Sequence, residues 1–66
     1  MTLDESLVAF QRKEAAFKAA LEEFNTAQAA GQMGLEAYRR AKALNEELIA
    51  LGTTLSTNLD QALASL

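Results

Sequence analysis

The 66-residue chain contains no cysteine, no histidine and no proline. Without cysteine it cannot form a disulfide, and without cysteine or histidine it lacks the usual ligands of a structural zinc ion. Side-chain catalysis commonly needs a nucleophile with a base, paired carboxylates in a cleft, or a metal. We therefore predict no catalytic residue, no metal site and no cofactor, and we expect a protein that is not an enzyme.

An excess of basic charge and long apolar runs are also absent. Six lysine and arginine residues stand against nine aspartate and glutamate residues, a net charge of −3, so nucleic acid is not expected as a partner. No run approaches the roughly 20 apolar residues of a membrane helix, and the first residues lack the basic start of a secretory signal. We expect a cytoplasmic protein with no membrane partner. The neighbouring pairs Glu22-Glu23 and Glu46-Glu47 are interpreted as solvated surface.

Apolar residues recur at helical spacing in two stretches, separated by Gly31-Gln32-Met33-Gly34. Steps of three, four and seven residues place each set on one side of a helix, and that side must be covered. The large residues of these two stripes form the predicted core: Leu7, Phe10, Phe17, Leu21 and Phe24 in the first helix, and Leu44, Leu48, Leu51 and Leu55 in the second.

The ends of the helices are marked by local signals. Thr2 and Glu5 have the spacing of a capping box, and Gly31 can take the left-handed conformation that closes a helix. These signals predict helix 1 over about residues 3–30, a loop over 31–34, and helix 2 over about 35–65. Because the loop is so short, the helices must be antiparallel neighbours. The predicted fold is an all-α, two-helix hairpin that occupies residues 1–66 as one domain.

The continuity of helix 2 near residue 52 is the open question about this fold. Gly52-Thr53-Thr54 are poor helix formers, and Thr57 with Asp60 repeats the capping-box spacing, which would suit a break and a short third helix. The leucines on both sides of Gly52, however, stay in phase on an uninterrupted helix. The phase favours one continuous helix, with a kink at Gly52 still compatible with it.

A hairpin of this size cannot bury all of its apolar side chains, since a chain of about 60 residues buries only about 60% of its unfolded surface. The apolar residues outside the stripes are the predicted partner-binding residues: Tyr38, Ile49 and Leu63 on a second edge of helix 2, Leu35 at its start, and Val8 on helix 1. Tyr38 has two interpretations, a residue that covers the hairpin loop or an anchor in the groove of a partner. A hairpin without a partner can also self-associate into a four-helix bundle.

Several short stretches resemble the small E-type co-chaperones of bacterial type III secretion needles. They are Ala19-Ala20-Leu21-Glu22-Glu23, the turn Ala29-Ala30-Gly31, and Ala41-Lys42-Ala43-Leu44 followed by Leu48, Ile49 and Leu51, with an aromatic residue at Tyr38. The resemblance covers residues 15–55. It implies a helical hairpin that stabilises a larger helical-repeat chaperone, and through it keeps a needle subunit soluble before export.

A second resemblance leads to a different class of function. Gly31 followed by Leu35-Glu36 is similar to the turn of the exonuclease VII small subunit, which is also a helical hairpin. The acidic and apolar signature that precedes this turn in that family is not evident in residues 3–20. This alternative implies a non-catalytic subunit of an enzyme.

Overall fold

Two antiparallel α-helices make up the fold. The computed structural model describes residues 2–66, with α1 over Leu3–Ala29 and α2 over Leu35–Ala64. The hairpin is a rod with Cα extents of 53 × 14 × 14 Å, because each helix packs along the length of the other. The all-α antiparallel hairpin predicted from the periodicity and the short loop is confirmed.

A capping box starts α1. The Thr2 hydroxyl accepts a hydrogen bond from the Glu5 amide, and the Thr2 amide donates to the Glu5 carboxylate, both at 3.2 Å. These bonds satisfy amides that have no partner within the first turn of the helix. The hydrogen bonds from Thr2 hold the pKa of Glu5 below its usual value, since they favour the charged carboxylate. This cap is the one that the Thr2 and Glu5 spacing predicts.

The loop is shaped by two glycines with positive φ, Gly31 at 77° and Gly34 at 65°. At the end of α1 the Gln32 amide donates to the Ala27 carbonyl at 2.8 Å, and the Gly31 amide donates to the Gln28 carbonyl at 3.0 Å. This pair of bonds is a Schellman motif, which requires the left-handed conformation at Gly31. The α1 helix therefore ends at Ala29, one residue before the predicted end.

Helix α2 runs without interruption through Gly52. The hydroxyls of Thr53, Thr54 and Thr57 donate to the backbone carbonyls four residues earlier, at 3.2, 3.3 and 3.1 Å. These bonds give the threonine hydroxyls partners within α2, so the three threonines are compatible with a continuous helix. The continuous α2 that the leucine phase favours is confirmed, and Thr57 does not begin a third helix.

Small residues occupy the centre of the contact between the helices. Within residues 2–66, the buried residues are Ser6, Ala20, Ala37 and Ala41. Alanine lets the two backbones approach closely, and the larger side chains then pack beside the contact line. Seven predicted core residues are half-buried in this way: Phe10, Phe17, Phe24, Leu44, Leu48, Leu51 and Leu55.

The prediction of core positions for Leu7 and Leu21 is wrong. The structure leaves 41% of Leu7 and 37% of Leu21 exposed. A single neighbouring helix covers only the strip of α1 that faces it, and at about 100° per residue these leucines lie roughly 80° and 40° to one side of Phe17. They belong to a surface that the hairpin itself does not cover.

A polar contact joins the helices near the chain ends. Ser6 is fully buried, and its hydroxyl donates to the Leu3 carbonyl at 2.8 Å while accepting from the Asn58 side-chain amide at 3.1 Å. The same Asn58 nitrogen lies 3.5 Å from the Thr2 carbonyl. Because these bonds form only when residue 58 is level with the start of α1, they select this register of the two helices.

Candidate functional site

Two ion pairs between the helices lie on one side of the hairpin, which we call the polar face. The Lys13 ammonium is 3.1 Å from the Glu47 carboxylate, and the Arg40 guanidinium donates to the Glu23 carboxylate at 2.7 Å. Glu23 and Glu47 are exposed, as the interpretation of both glutamate pairs as solvated surface predicts, and each also forms an ion pair with a cation of the other helix. Since all four side chains remain partly exposed, each pair stabilises the hairpin only modestly.

The ion pairs define the opposite side as well. At about 100° per residue, Lys13 and Glu23 lie on one side of Phe17 around α1, while Leu7 and Leu21 lie on the other. Around α2, Arg40 and Glu47 lie on one side of Leu44, and Tyr38, Ile49 and Leu63 on the other. The ion pairs bring the Lys13 side of α1 and the Arg40 side of α2 onto one face of the hairpin. The Leu7 side of α1 and the Ile49 side of α2 must therefore share the opposite face.

Large apolar side chains cover this opposite face, which we call the apolar face. Ile49 is 63% exposed and Leu63 is 66% exposed, values more typical of a chain in water than of a packed residue. The apolar face consists of six exposed residues: Leu7 and Leu21 on α1, and Tyr38, Ile49, Leu59 and Leu63 on α2. Several large apolar side chains left exposed on one face are typical of an interaction site.

A groove of about 370 Å³ lies on the apolar face near the hairpin loop. Seven residues line it: Phe17, Leu21, Phe24, Tyr38, Ala41, Lys42 and Asn45. The rings of Phe24 and Tyr38 meet at a centroid distance of 5.8 Å and are tilted by 51°. Tyr38 therefore packs on α1 with one side of its ring and stays half exposed, so its two predicted roles are compatible with each other.

Charged side chains also lie on the apolar face and at its margins. Glu14 is half-buried on this side of α1, and the Lys18 ammonium lies 3.9 Å from its carboxylate. Lys42 and Asp60 lie at the margin of the same side of α2, about 160° from Leu44, and Asp4 and Glu22 lie at the margin of this side of α1, about 140° from Phe17. The four acids and two bases on this side leave the apolar face with an excess of two negative charges.

The five predicted partner-binding residues are all exposed, but they do not form one surface. Tyr38, Ile49 and Leu63 share the apolar face. Val8 and Leu35 lie on the outer side of their helices, about 180° from Phe17 and from Leu44. The structure thus brings three of the five together and separates the other two.

Three residues of the apolar face were not predicted as partner-binding: Leu7, Leu21 and Leu59. Leu7 and Leu21 were assigned to the core, and Leu59 belongs to the leucine stripe of α2. Their angular position places each of them to one side of its stripe, but it does not show whether the neighbouring helix covers them.

No protein-family model matches the chain, and neither a curated protein nor a solved structure is significantly similar to it. The site therefore has to be interpreted from its own geometry. Over residues 2–66, acidic side chains do not gather in a group that could hold a metal ion. Within the same range, neither helix combines the length and the hydropathy that a membrane span requires.

Proposed function

We propose that this protein is a non-enzymatic interaction module that binds a helical protein partner through its apolar face. The observation that carries the proposal is the distribution of exposed apolar side chains, since Ile49, Leu63 and Tyr38 lie on one face while the two ion pairs between the helices lie on the other. Covering such a face removes apolar area from water at about 25 cal/mol per Å². A helical partner suits a long, narrow surface of this kind.

The specific role that we propose is that of a cytoplasmic co-chaperone in a bacterial type III secretion system. In this role the hairpin binds a larger helical-repeat chaperone, and the two together keep a needle subunit soluble before export. The support is the resemblance of residues 15–55 to the E-type co-chaperones, together with a hairpin whose apolar face is open along its length. An open face of this kind is what a subunit of a larger helical assembly would present.

A paired set of variants tests the proposed face. The double variant Ile49→Asp and Leu63→Asp places two carboxylates on the apolar face at positions that are more than 60% exposed, so folding should be little affected. Val8→Asp is the matched control, because Val8 is 45% exposed on the outer side of α1. Tagged forms of each protein would be used to capture partners from the native cells, with mass spectrometry of the bound proteins.

We expect the wild-type protein and Val8→Asp to capture a helical-repeat chaperone together with a small polymerising subunit. The double variant should lose both, with a drop in affinity equivalent to several kcal/mol, because buried carboxylates without partners are costly. Recovery of the large subunit of a nuclease, or loss of binding in Val8→Asp alone, would refute the proposal.

A further inference from the structure

We infer that the partner places an arginine or lysine side chain against Glu14, in the middle of the apolar face. The inference rests on the proposed function, because it describes what a partner that covers this face must carry. It concerns the chemistry at one point of the interface, whereas the proposed function concerns which face of the hairpin is used.

Glu14 interrupts a row of exposed leucines on α1. Leu7, Glu14 and Leu21 are spaced by seven residues, and such a step turns a helix by about 700°, which is about 20° short of two full turns. The three side chains therefore lie along one line of the helix. Since Leu7 is 41% and Leu21 is 37% exposed, the Glu14 carboxylate stands between two leucines that a partner on this face would bury.

Glu14 also lies well inside the length of the face. The ion pair between Lys13 and Glu47 shows that this part of α1 is level with the middle of α2. The exposed apolar residues of α2 extend from Tyr38 to Leu63, about 38 Å at about 1.5 Å per residue. A helix that lies along this face would cross Glu14, with apolar contacts towards both of its ends.

The ion pair that Glu14 makes within the chain is a loose one. The Lys18 ammonium is 3.9 Å from its carboxylate, whereas the two ion pairs between the helices measure 3.1 and 2.7 Å. The Lys18 side chain is 70% exposed and that of Glu14 is 44% exposed, so water still hydrates both charges. The face as a whole has an excess of two negative charges.

A partner that covers the face takes the Glu14 carboxylate out of water. If only apolar side chains lay above it, the carboxylate would lose its hydration without a close counter-charge, which is unfavourable. A guanidinium or ammonium group from the partner would instead donate a charge-assisted hydrogen bond to it. A basic residue also complements the acidic excess of the face, and one polar pair within an apolar helical interface fixes the register of the partner.

Two synthetic peptides test this chemistry directly. Both are amphipathic helices of about 25 residues with a stripe of leucines, long enough to extend from Tyr38 to Leu63, and in one of them the central leucine is replaced by arginine. Isothermal titration calorimetry would measure their binding to the wild-type protein and to Glu14→Leu. We expect the wild type to bind the arginine peptide about tenfold more tightly, and Glu14→Leu to reverse the preference. If the wild type bound the arginine peptide no more tightly than the leucine peptide, the inference would be overturned.

Lys18→Gln distinguishes a cation of the partner from a cation of the protein itself. Because the arginine of the peptide pairs with Glu14, we expect this variant to bind the arginine peptide within about twofold of the wild type. A tenfold loss would show that Lys18 neutralises Glu14 in the complex, and would overturn the inference. Circular dichroism of each variant would confirm that the hairpin is folded.

Capture from the native cells, with the bound protein quantified by mass spectrometry, extends the test to the natural partner. Glu14→Gln keeps the shape of the side chain but removes its charge, so capture should fall about tenfold. Glu46→Gln is the matched control, since it removes one negative charge from an exposed position outside the apolar face. Undiminished capture by Glu14→Gln would overturn this inference alone, if Ile49→Asp with Leu63→Asp still loses the partner. Capture retained by that double variant would instead refute the proposed function.

Discussion

Replacing Gly52 by alanine is the change that most directly tests how α2 is held against α1. Gly52 lies inside a continuous helix, it is half-buried, and it does not have a positive φ. A Cβ at this position would lie 3.5 Å from the Cε2 atom of the Phe10 ring, which is an ordinary van der Waals distance. The packing therefore has room for the methyl group.

The expected effect is a gain in stability of about 1 kcal/mol, because glycine inside a helix is less favourable than alanine by about that amount. For a domain of this size, 1 kcal/mol raises the melting temperature by roughly 4–8 °C. The new contact with Phe10 acts in the same direction. The gain should appear without any change in the face on which Ile49 and Leu63 lie.

The other two glycines provide matched comparisons. Gly34→Ala should lower stability by about 2–3 kcal/mol, because a Cβ would lie 3.0 Å from the Ala27 Cβ and 3.1 Å from the Phe24 Cδ1, at a φ of 65° that alanine rarely adopts. Gly31→Ala would meet no atom within 4 Å but has a φ of 77°, so it should cost about 1 kcal/mol from backbone strain alone.

Urea and thermal denaturation followed by circular dichroism would measure the series, with all variants at one concentration so that any association contributes equally. The predicted order of stability is Gly52→Ala, wild type, Gly31→Ala, Gly34→Ala. A loss of 1 kcal/mol or more in Gly52→Ala would refute the reasoning, since it would mean that α1 and α2 approach at Gly52 too closely for a methyl group.

Two further changes test the polar contacts near the chain ends. Asn58→Ala should destabilise the hairpin by about 1–2 kcal/mol, because the buried Ser6 hydroxyl loses the amide that donates to it. The control Thr57→Ala removes only an exposed hydrogen bond within α2 and should be nearly neutral in denaturation. Equal effects of the two substitutions would contradict this account. Thr2→Ala should raise the pKa of Glu5 part of the way towards its usual value, as measured by an NMR titration of the carboxyl group, because the hydroxyl is lost while the backbone amide of residue 2 can still donate to the carboxylate. Since the folded-state pKa is lowered, the stabilisation from Glu5 is present at neutral pH and is lost as pH falls through the acid range, and that dependence should weaken in Thr2→Ala. An unchanged titration would show that the Thr2 hydroxyl does not lower the pKa of Glu5.

Signals between near neighbours in the chain account for the parts of the fold that the sequence predicts well. The capping box depends on Thr2 and Glu5, three residues apart, and the turn depends on Gly31. The continuity of α2 follows from leucines that keep their phase across Gly52. The antiparallel arrangement then follows from the short loop, since two long helices joined in this way have no other compact arrangement.

The candidate site was only partly predictable. The exposed edge of Tyr38, Ile49 and Leu63 could be identified because its residues lie away from the leucine stripe of α2. The exposure of Leu7 and Leu21 could not be predicted in the same way. A helical wheel shows which residues share a side of the helix, but it does not show how wide a strip the neighbouring helix covers. That width depends on the close approach at Ala20, Ala37 and Ala41.

The amino-acid sequence by itself determined the two helices, their ends and their antiparallel order, because hydrophobic period, capping and glycine turns act over a few residues. Only the tertiary structure decided which side chains meet between the helices. It paired Lys13 with Glu47 and Arg40 with Glu23 on one side, and left the apolar face open on the other. These outcomes depend on the distance and register between residues far apart in the chain, which no local pattern encodes.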